Sequence, residues 1–155
     1  MPVFNALYTE QGILHRRDIG VGLAVAVDDG LIVPVCKQPD LKSLLEINAD
    51  TQRLISAARE NKLTLKDLDG GTFTISSLGM YGIDWFTAII NPGESAILAV
   101  GKIAKKPVVV NDEVVIKPMM KMTLSVDHRL IDGAAAAEFV TKVRDSLEKP
   151  ILLFL

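Results

Sequence analysis

Residues 125–136 read SVDHRLIDGAAA and place a histidine where a strand pattern gives way to a helix pattern. Residues 119–126 lead into it and are apolar enough to predict a strand. After Gly133 apolar residues return at helical spacing until Pro150, namely at Ala136, Phe139, Val140, Val143 and Leu147. A side chain at such a junction is held rigidly at a surface opening, so His128 is the first candidate for chemistry.

Further strands are predicted upstream of this block. Residues 72–77 (TFTISS) are β-branched and aromatic enough for a strand, which delivers two serines to the glycine-punctuated loop 78–84. Residues 95–102 (SAILAVGK) predict a buried strand, and residues 108–116 predict a hairpin around Asn-Asp-Glu.

The N-terminal half adds another hairpin and a helix. Residues 19–27 and 31–35 are apolar runs on either side of Asp-Asp-Gly, which predicts two antiparallel strands. Pro34 lacks a ladder donor and favours an edge strand or a bulge. Asp40 is the expected cap of an amphipathic helix with apolar positions Leu44, Ile47, Leu54, Ile55 and Ala58.

Length and composition limit the class. The chain has 155 residues, which predicts one domain, 1–155, and the mixture of strands with two long helices predicts an α/β two-layer sandwich with a mixed sheet. Seventeen basic residues balance 19 acidic ones without a run of like charge, so neither nucleic acid nor a membrane is an expected partner. The single cysteine, Cys36, suits a reducing compartment such as the cytoplasm.

The two histidines have different contexts. His15 is interpreted as an exposed loop residue. His128 has two open interpretations, a general base with a pKa near neutrality or a histidine satisfied by neighbouring backbone. Asp132 is either a partner of that chemistry or an ordinary helix N-cap, and the two roles are compatible.

Three blocks together carry a family resemblance. Residues 125–136 resemble the His-x-x-x-Asp-Gly signature of the 2-oxo acid dehydrogenase acyltransferases, in the form Asp-His-Arg-x-x-Asp-Gly. Residues 73–83 (FTISSLGMYGI) and 86–98 (FTAIINPGESAIL) resemble the other signature segments of that family, in the same order. The resemblance extends from the first residues to the last.

This resemblance implies a fold similar to chloramphenicol acetyltransferase and a role as the E2 component of a complex such as pyruvate dehydrogenase. The implied activity transfers an acetyl group between the dihydrolipoamide of a lipoyl-lysine, carried by a separate domain, and coenzyme A, with no metal. The implied partners are two further copies in a homotrimer, larger particles built from trimers, the lipoyl domain and the other complex components.

The resemblance also implies roles for three residues. His128 is the base that deprotonates the incoming thiol, Ser76 donates a hydrogen bond to the tetrahedral oxyanion, and Asp132 holds the loop that presents His128. The family pairs the histidine of one subunit with the serine segment of its neighbour. The alternative for Ser76 is a turn serine that bonds its own loop backbone.

Two alternatives to this function stay open. About the first third of the family's domain is expected to be missing before MPVFNA, so a catalytically inactive truncated core that only self-assembles is one alternative. A relative that transfers succinyl or branched-chain acyl groups is the other, although residues 76–101 and DGAAAAEF favour acetyl. The mitochondrial matrix is the alternative to the cytoplasm.

The chain ends in an apolar pentapeptide, residues 151–155, after a proline that should end the long helix. We expect this tail to be buried, either against the chain's own core or in a pocket of a neighbouring subunit.

Overall fold

A mixed five-stranded sheet is the centre of the fold in this computed structural model, which describes residues 1–153. The strands are β1 (Ala6–Thr9), β2 (Gly12–His15), β3 (Gly20–Leu23), β4 (Val25–Val27), β5 (Gly30–Ile32), β6 (Val35–Lys37), β7 (Phe73–Ser77), β8 (Ala96–Val100), β9 (Ala104–Val110), β10 (Glu113–Met119) and β11 (Met122–Val126). The α-helices are α1 (Leu44–Arg59), α2 (Leu65–Leu68) and α3 (Gly133–Glu148).

The sheet has the order β11-β8-β7-β3-β6. β7 runs parallel to both of its neighbours, whereas β11 and β6 are antiparallel to theirs. Helix α3 packs on one face, where the Phe139 ring lies 5.5 Å from that of Phe73 and 4.2 Å from that of Phe4. The predicted α/β two-layer architecture with a mixed sheet is therefore confirmed.

The predicted N-terminal hairpin forms, but each of its strands is broken in two. β4 and β5 pair around Asp28 and Asp29, while β3 and β6 belong to the main sheet. The backbone N–H of Leu23 bonds the Pro34 carbonyl at 2.8 Å, and that of Ala24 turns to the Ile75 carbonyl of β7 at 3.0 Å. Because Pro34 has no N–H, the ladder cannot continue through it, and β6 lies at the sheet edge as Pro34 predicted.

Helix α1 begins later than the predicted cap at Asp40, and that prediction is wrong. Asp40 lies in a short 3-10 helix, Pro39–Leu41. Ser43 is the N-cap: its hydroxyl accepts from the Glu46 N–H at 3.3 Å, and the Glu46 carboxylate accepts from the Ser43 N–H at 2.8 Å. This reciprocal capping box satisfies two donors at once, which a lone aspartate does not do.

The predicted C-terminal elements form with shifted bounds. The β9–β10 hairpin is longer than expected, and it turns at Asn111 and Asp112, which adopt the left-handed φ values of 51° and 64° that a type I′ turn requires. The last strand begins at Met122 rather than Met119, because Met119 is the last residue of β10 and pairs with Ala104 of β9.

Helix α3 ends at Glu148, as the proline predicted, and a 3-10 helix Pro150–Leu153 follows. Ile151 is 66% exposed and is not packed into the chain's own core. The side chains after Ile151, and Phe154 and Leu155 altogether, lie outside the described residues.

Within residues 1–153, no helix combines the length and the apolar character that crossing a bilayer requires. The same part of the chain brings no three His, Cys, Asp or Glu side chains together as metal ligands. The expected absence of a metal stays a prediction.

Candidate active site

The turn that carries His128 is fixed by backbone hydrogen bonds. The N–H of Asp127 donates to the Ser95 carbonyl at 2.8 Å, and the Asp127 carbonyl accepts from the N–H groups of Leu130 and Ile131, both at 3.0 Å. Ile131 is fully buried and anchors the turn in the core. The exposed His128 side chain therefore projects from a rigid turn, and a proton-transfer group needs such a fixed support.

The residues on both sides of His128 are locked to each other. The Asp127 carboxylate accepts from the Arg129 backbone N–H at 3.0 Å and from its guanidinium at 2.7 and 2.9 Å. These bonds hold the pKa of Asp127 below its usual range. The Arg129 guanidinium also lies 4.3 Å from the ring centroid of Tyr8 in β1, which ties the turn to the β1–β2 hairpin.

Asp132 caps helix α3. Its Oδ1 accepts from the Ala135 N–H at 2.8 Å, and its side chain is exposed. The N-cap role that the sequence allowed is therefore present, and it fixes the start of the helix just after the His128 turn. A further role for Asp132 in presenting His128 stays a prediction.

Ser76 lies in β7 opposite Ala99 of β8 and is half-buried. It borders two cavities, one of about 210 Å³ between β4 and α1 and one of about 410 Å³ beneath residues 86–92. Ser77 borders the smaller cavity but not the larger one. The first serine of the pair thus reaches space that the second does not.

Ser76 and His128 do not meet within one chain. Ser76 aligns with Ala99 and, through it, with Thr123, whereas β11 ends three residues later at Val126. At about 3.3 Å per residue and about 4.8 Å per strand, Val126 lies roughly 14 Å from Ser76, and His128 follows it. The Asp127 N–H bond to the Ser95 carbonyl shows that the chain continues from Val126 away from Ser76, so this separation is well beyond the roughly 3 Å that proton transfer requires.

An irregular segment, residues 83–92, covers the larger cavity next to Ser76. The Lys106 and Lys121 ammonium groups bind Asp84 at 2.7 and 2.8 Å, and the Ser125 hydroxyl donates to the Ala88 carbonyl at 2.7 Å. Gly101 is required beside it, since a Cβ there would collide with the Asp84 carbonyl oxygen. Asp84 was not among the predicted site residues, and its place at the end of the glycine-punctuated loop 78–84 was the one available signal.

The two lysines predict a pH dependence of stability. The hydrogen bond from Lys106, and to a smaller extent the one from Lys121, lowers the pKa of Asp84 from the ordinary 3.8 to about 2. A lowered folded-state pKa stabilises the fold above the ordinary pKa, and this stabilisation is lost as pH falls through about 2. We expect the melting temperature difference between the wild type and Asp84→Asn to be constant above about pH 5 and to shrink towards about pH 2. A difference that does not change over this range would contradict the ion-pair assignment.

Comparison with known proteins gives one family. The family model described as 2-oxoacid dehydrogenases acyltransferase (catalytic domain) matches residues 1–155. The dihydrolipoyllysine-residue acetyltransferase component of the pyruvate dehydrogenase complex of Rickettsia conorii is 43% identical over 155 residues, which are all of this chain and 38% of that protein. The succinyltransferase component of the 2-oxoglutarate dehydrogenase complex of Pseudomonas aeruginosa is 44% identical over 154 residues, 99% of this chain and 38% of that protein.

Solved structures agree with this. The dihydrolipoamide acetyltransferase of Azotobacter vinelandii, studied for the role of a serine, a histidine and an asparagine in its catalytic mechanism, has a TM-score of 0.94 at 40% identity, covering 99% of this chain and 64% of that one. The cubic core of the pyruvate dehydrogenase multienzyme complex also has a TM-score of 0.94, at 39% identity and the same coverage. Chloramphenicol acetyltransferase, at 19% identity and a TM-score of 0.51 over 93% of this chain and 69% of its own, shares the fold.

Proposed function

Because the chain belongs to the family of 2-oxoacid dehydrogenase acyltransferase catalytic domains, we propose that residues 1–155 form an acyltransferase domain. It transfers an acetyl group between dihydrolipoyl-lysine and coenzyme A. The observation that carries this proposal is the rigid turn that presents His128 between a sheet strand and the capped helix α3. The chain spans 38% of the length of the curated relatives it matches, so the activity is proposed for the complete protein that contains it.

Residue spacing supports the site assignment. The serine and the histidine named for the Azotobacter enzyme are separated by the same number of residues as Ser76 and His128. Its asparagine stands as far beyond that histidine as Asp132 stands beyond His128. Aspartate replaces asparagine here, and either side chain can cap a helix.

The proposed chemistry uses one proton and two thiols. His128 takes the proton of the incoming thiol, and the thiolate attacks the thioester carbonyl carbon. The carbonyl oxygen becomes an oxyanion to which the Ser76 hydroxyl donates a hydrogen bond. When the intermediate collapses, the carbon–sulfur bond to the other thiol breaks, and that thiolate takes the proton back from His128.

We place each site between two subunits of a homotrimer. Ser76 and His128 lie too far apart in one chain, so a working site needs the serine of one copy and the histidine of another. Large apolar side chains on the surface support burial by further chains, among them Leu45 (82% exposed), Leu65 (86%) and Ile89 (91%). The lipoyl domain and the other components of the complex are partners in the same proposal, and the cytoplasm is its compartment.

The acyl group can be decided by substrate competition. The relatives include an acetyltransferase and a succinyltransferase at nearly the same identity. We expect kcat/KM with acetyl coenzyme A to exceed that with succinyl coenzyme A and with branched-chain acyl coenzyme A by at least about 10-fold. A preference for either competitor would contradict the acetyl assignment while leaving the mechanism intact.

A self-assembling core without catalysis is the second candidate, favoured by the distance between Ser76 and His128. The complete protein distinguishes the two candidates: acetyl transfer from acetyl coenzyme A to dihydrolipoamide supports the enzyme. Trimers that do not catalyse it would support the scaffold.

The tail at 151–155 gives a prediction about assembly. Ile151 is exposed in the single chain, so a neighbouring subunit is the proposed site of its burial. Burying several such side chains stabilises a contact by about 1.5 to 3 kcal/mol each. Deleting residues 151–155 should leave folded trimers that no longer form large particles, as measured by sedimentation velocity. Particles of unchanged size would rule out the tail as an assembly element.

A further inference from the structure

A buried polar cluster lies on the same strand as Ser76. Thr74 of β7 is fully buried, and its hydroxyl donates to Glu94 Oε1 at 2.8 Å and accepts from Asn91 Nδ2 at 2.9 Å. Glu94 is only 8% exposed. The cluster therefore joins the centre of the sheet to residues 91–94, which lead into β8.

Thr74 and Ser76 point to the same face of the sheet. Side chains alternate along a strand, so residues two apart share a face. Both residues border the cavity of about 410 Å³ that lies beneath residues 86–92, and Asn91 borders it as well. The Thr74 hydroxyl thus anchors the segment that covers Ser76, and it does so two residues before the serine on the same strand.

The segment over the cavity is held to the sheet at two points. The Ser125 hydroxyl of β11 binds the Ala88 carbonyl at 2.7 Å, and Thr74 binds the Asn91 amide. Without the Asn91 contact, the C-terminal part of the segment would lose this attachment to β7. Movement there changes the space into which the Ser76 hydroxyl points.

Retaining a carboxyl in this place has a cost to stability. Burial raises the pKa of Glu94, and the Thr74 and Asn91 hydrogen bonds with the nearby Arg16 charge offset only part of that effect. Arg16 itself donates to the carbonyl groups of Gly71 and Gly93, at 2.6 and 2.9 Å. A carboxyl buried at this cost, and bonded to a threonine that lines the cavity beside Ser76, is more typical of a site under functional demand than of an ordinary core position.

We propose that Thr74, bonded to Glu94 and Asn91, is a positioning residue that keeps the Ser76 hydroxyl and the segment above it in the geometry for oxyanion binding. This inference rests on the proposed role of Ser76. A hydroxyl that stabilises an oxyanion must be held to about 0.5 Å, and its neighbours on the strand and across the cavity provide that restraint.

The first test removes the Thr74 hydroxyl and keeps the side-chain shape. In the complete protein, Thr74→Val should lower kcat about 10-fold with KM values within about 2-fold, because misplacement acts on the transition state. Thr74→Ser, which keeps the hydroxyl, should restore most of the rate. If Thr74→Val does not fold, Asn91→Ala removes the other end of the bond and should lower kcat in the same direction.

Thr72→Val is the matched control. Thr72 is 3% exposed and lies just before β7, and its hydroxyl bonds the Gly20 N–H and carbonyl of β3, at 3.0 and 3.1 Å, rather than the segment over Ser76. The Thr72→Val variant loses a comparable buried hydroxyl, and its kcat should stay within about 2-fold of the wild-type value. Equal losses in the two valine variants would overturn the proposal, because a general loss of stability would then explain both.

A double-mutant cycle distinguishes this proposal from the function it rests on. If Thr74 acts through Ser76, Thr74→Val should lower kcat in the wild type and have no further effect in a Ser76→Ala background. The full 10-fold loss in both backgrounds would overturn the positioning role while leaving Ser76 in place. An unchanged kcat in Ser76→Ala alone would overturn the proposed role of Ser76 and, with it, this inference.

Discussion

Replacing His128 by alanine in the complete protein should lower acetyl transfer from acetyl coenzyme A to dihydrolipoamide by about 10²- to 10⁴-fold, the share that a general base supplies. The physical reason is that a neutral thiol attacks a thioester poorly, and His128 is the proposed acceptor of its proton. His128 is exposed and the backbone bonds of its turn come from Asp127, so the variant should fold and assemble normally. The measurement is steady-state turnover, with sedimentation velocity as the test of assembly.

His15→Ala is the matched control for this variant. His15 is exposed as predicted, although it is the last residue of β2 rather than a loop residue, and it has no proposed role. Its replacement should leave turnover within about 2-fold. Unchanged turnover in His128→Ala, or equal losses in the two variants, would contradict the assignment of His128 as the base.

Replacing Ser76 by alanine should lower kcat by about 10²- to 10³-fold with little change in KM. The hydroxyl has little to stabilise in the planar thioester, whereas the tetrahedral oxyanion carries a full charge. The bond therefore forms mainly in the transition state, and its loss appears in kcat. Initial rates over a range of both substrates separate the two parameters.

Ser77 provides the comparison for Ser76. The two serines are neighbours on β7, but their side chains point to opposite faces, and Ser77 does not border the cavity beneath residues 86–92. Ser77→Ala should therefore cost less than Ser76→Ala. The reverse order would mean that the oxyanion is bound on the other face of the sheet.

Local patterns in the sequence predicted most elements, and non-local contacts explain the failures. The run of residues 72–77 and the helix after Gly133 form as expected, because their signals lie within each element. The strand break at Ala24 depends on the Ile75 carbonyl of β7, which lies outside residues 19–35, whereas the break at Pro34 follows from its missing N–H. The order of the strands in the sheet is non-local for the same reason.

The candidate site also contains residues that a local pattern predicted and residues that only non-local contacts bring together. His128 and Asp132 belong to one short block, so spacing alone placed them in a single turn. The cluster of Thr74, Asn91 and Glu94 consists of residues from separate segments that meet only when residues 91–94 fold back onto β7. The two signature segments that contain these residues give no sign of the contact between them, so the cluster was not predicted from the sequence.

We propose that each site takes its histidine and its serine from different subunits, and mixed trimers test this arrangement. His128→Ala and Ser76→Ala chains are each nearly inactive alone, and they are produced together in equal amounts. Sites built between chains should recover roughly a quarter of wild-type turnover, because random mixing gives that share of sites an intact histidine from one chain and an intact serine from its neighbour. Mixed trimers no more active than the separate variants would contradict the account, since a site within one chain always lacks one of the two groups.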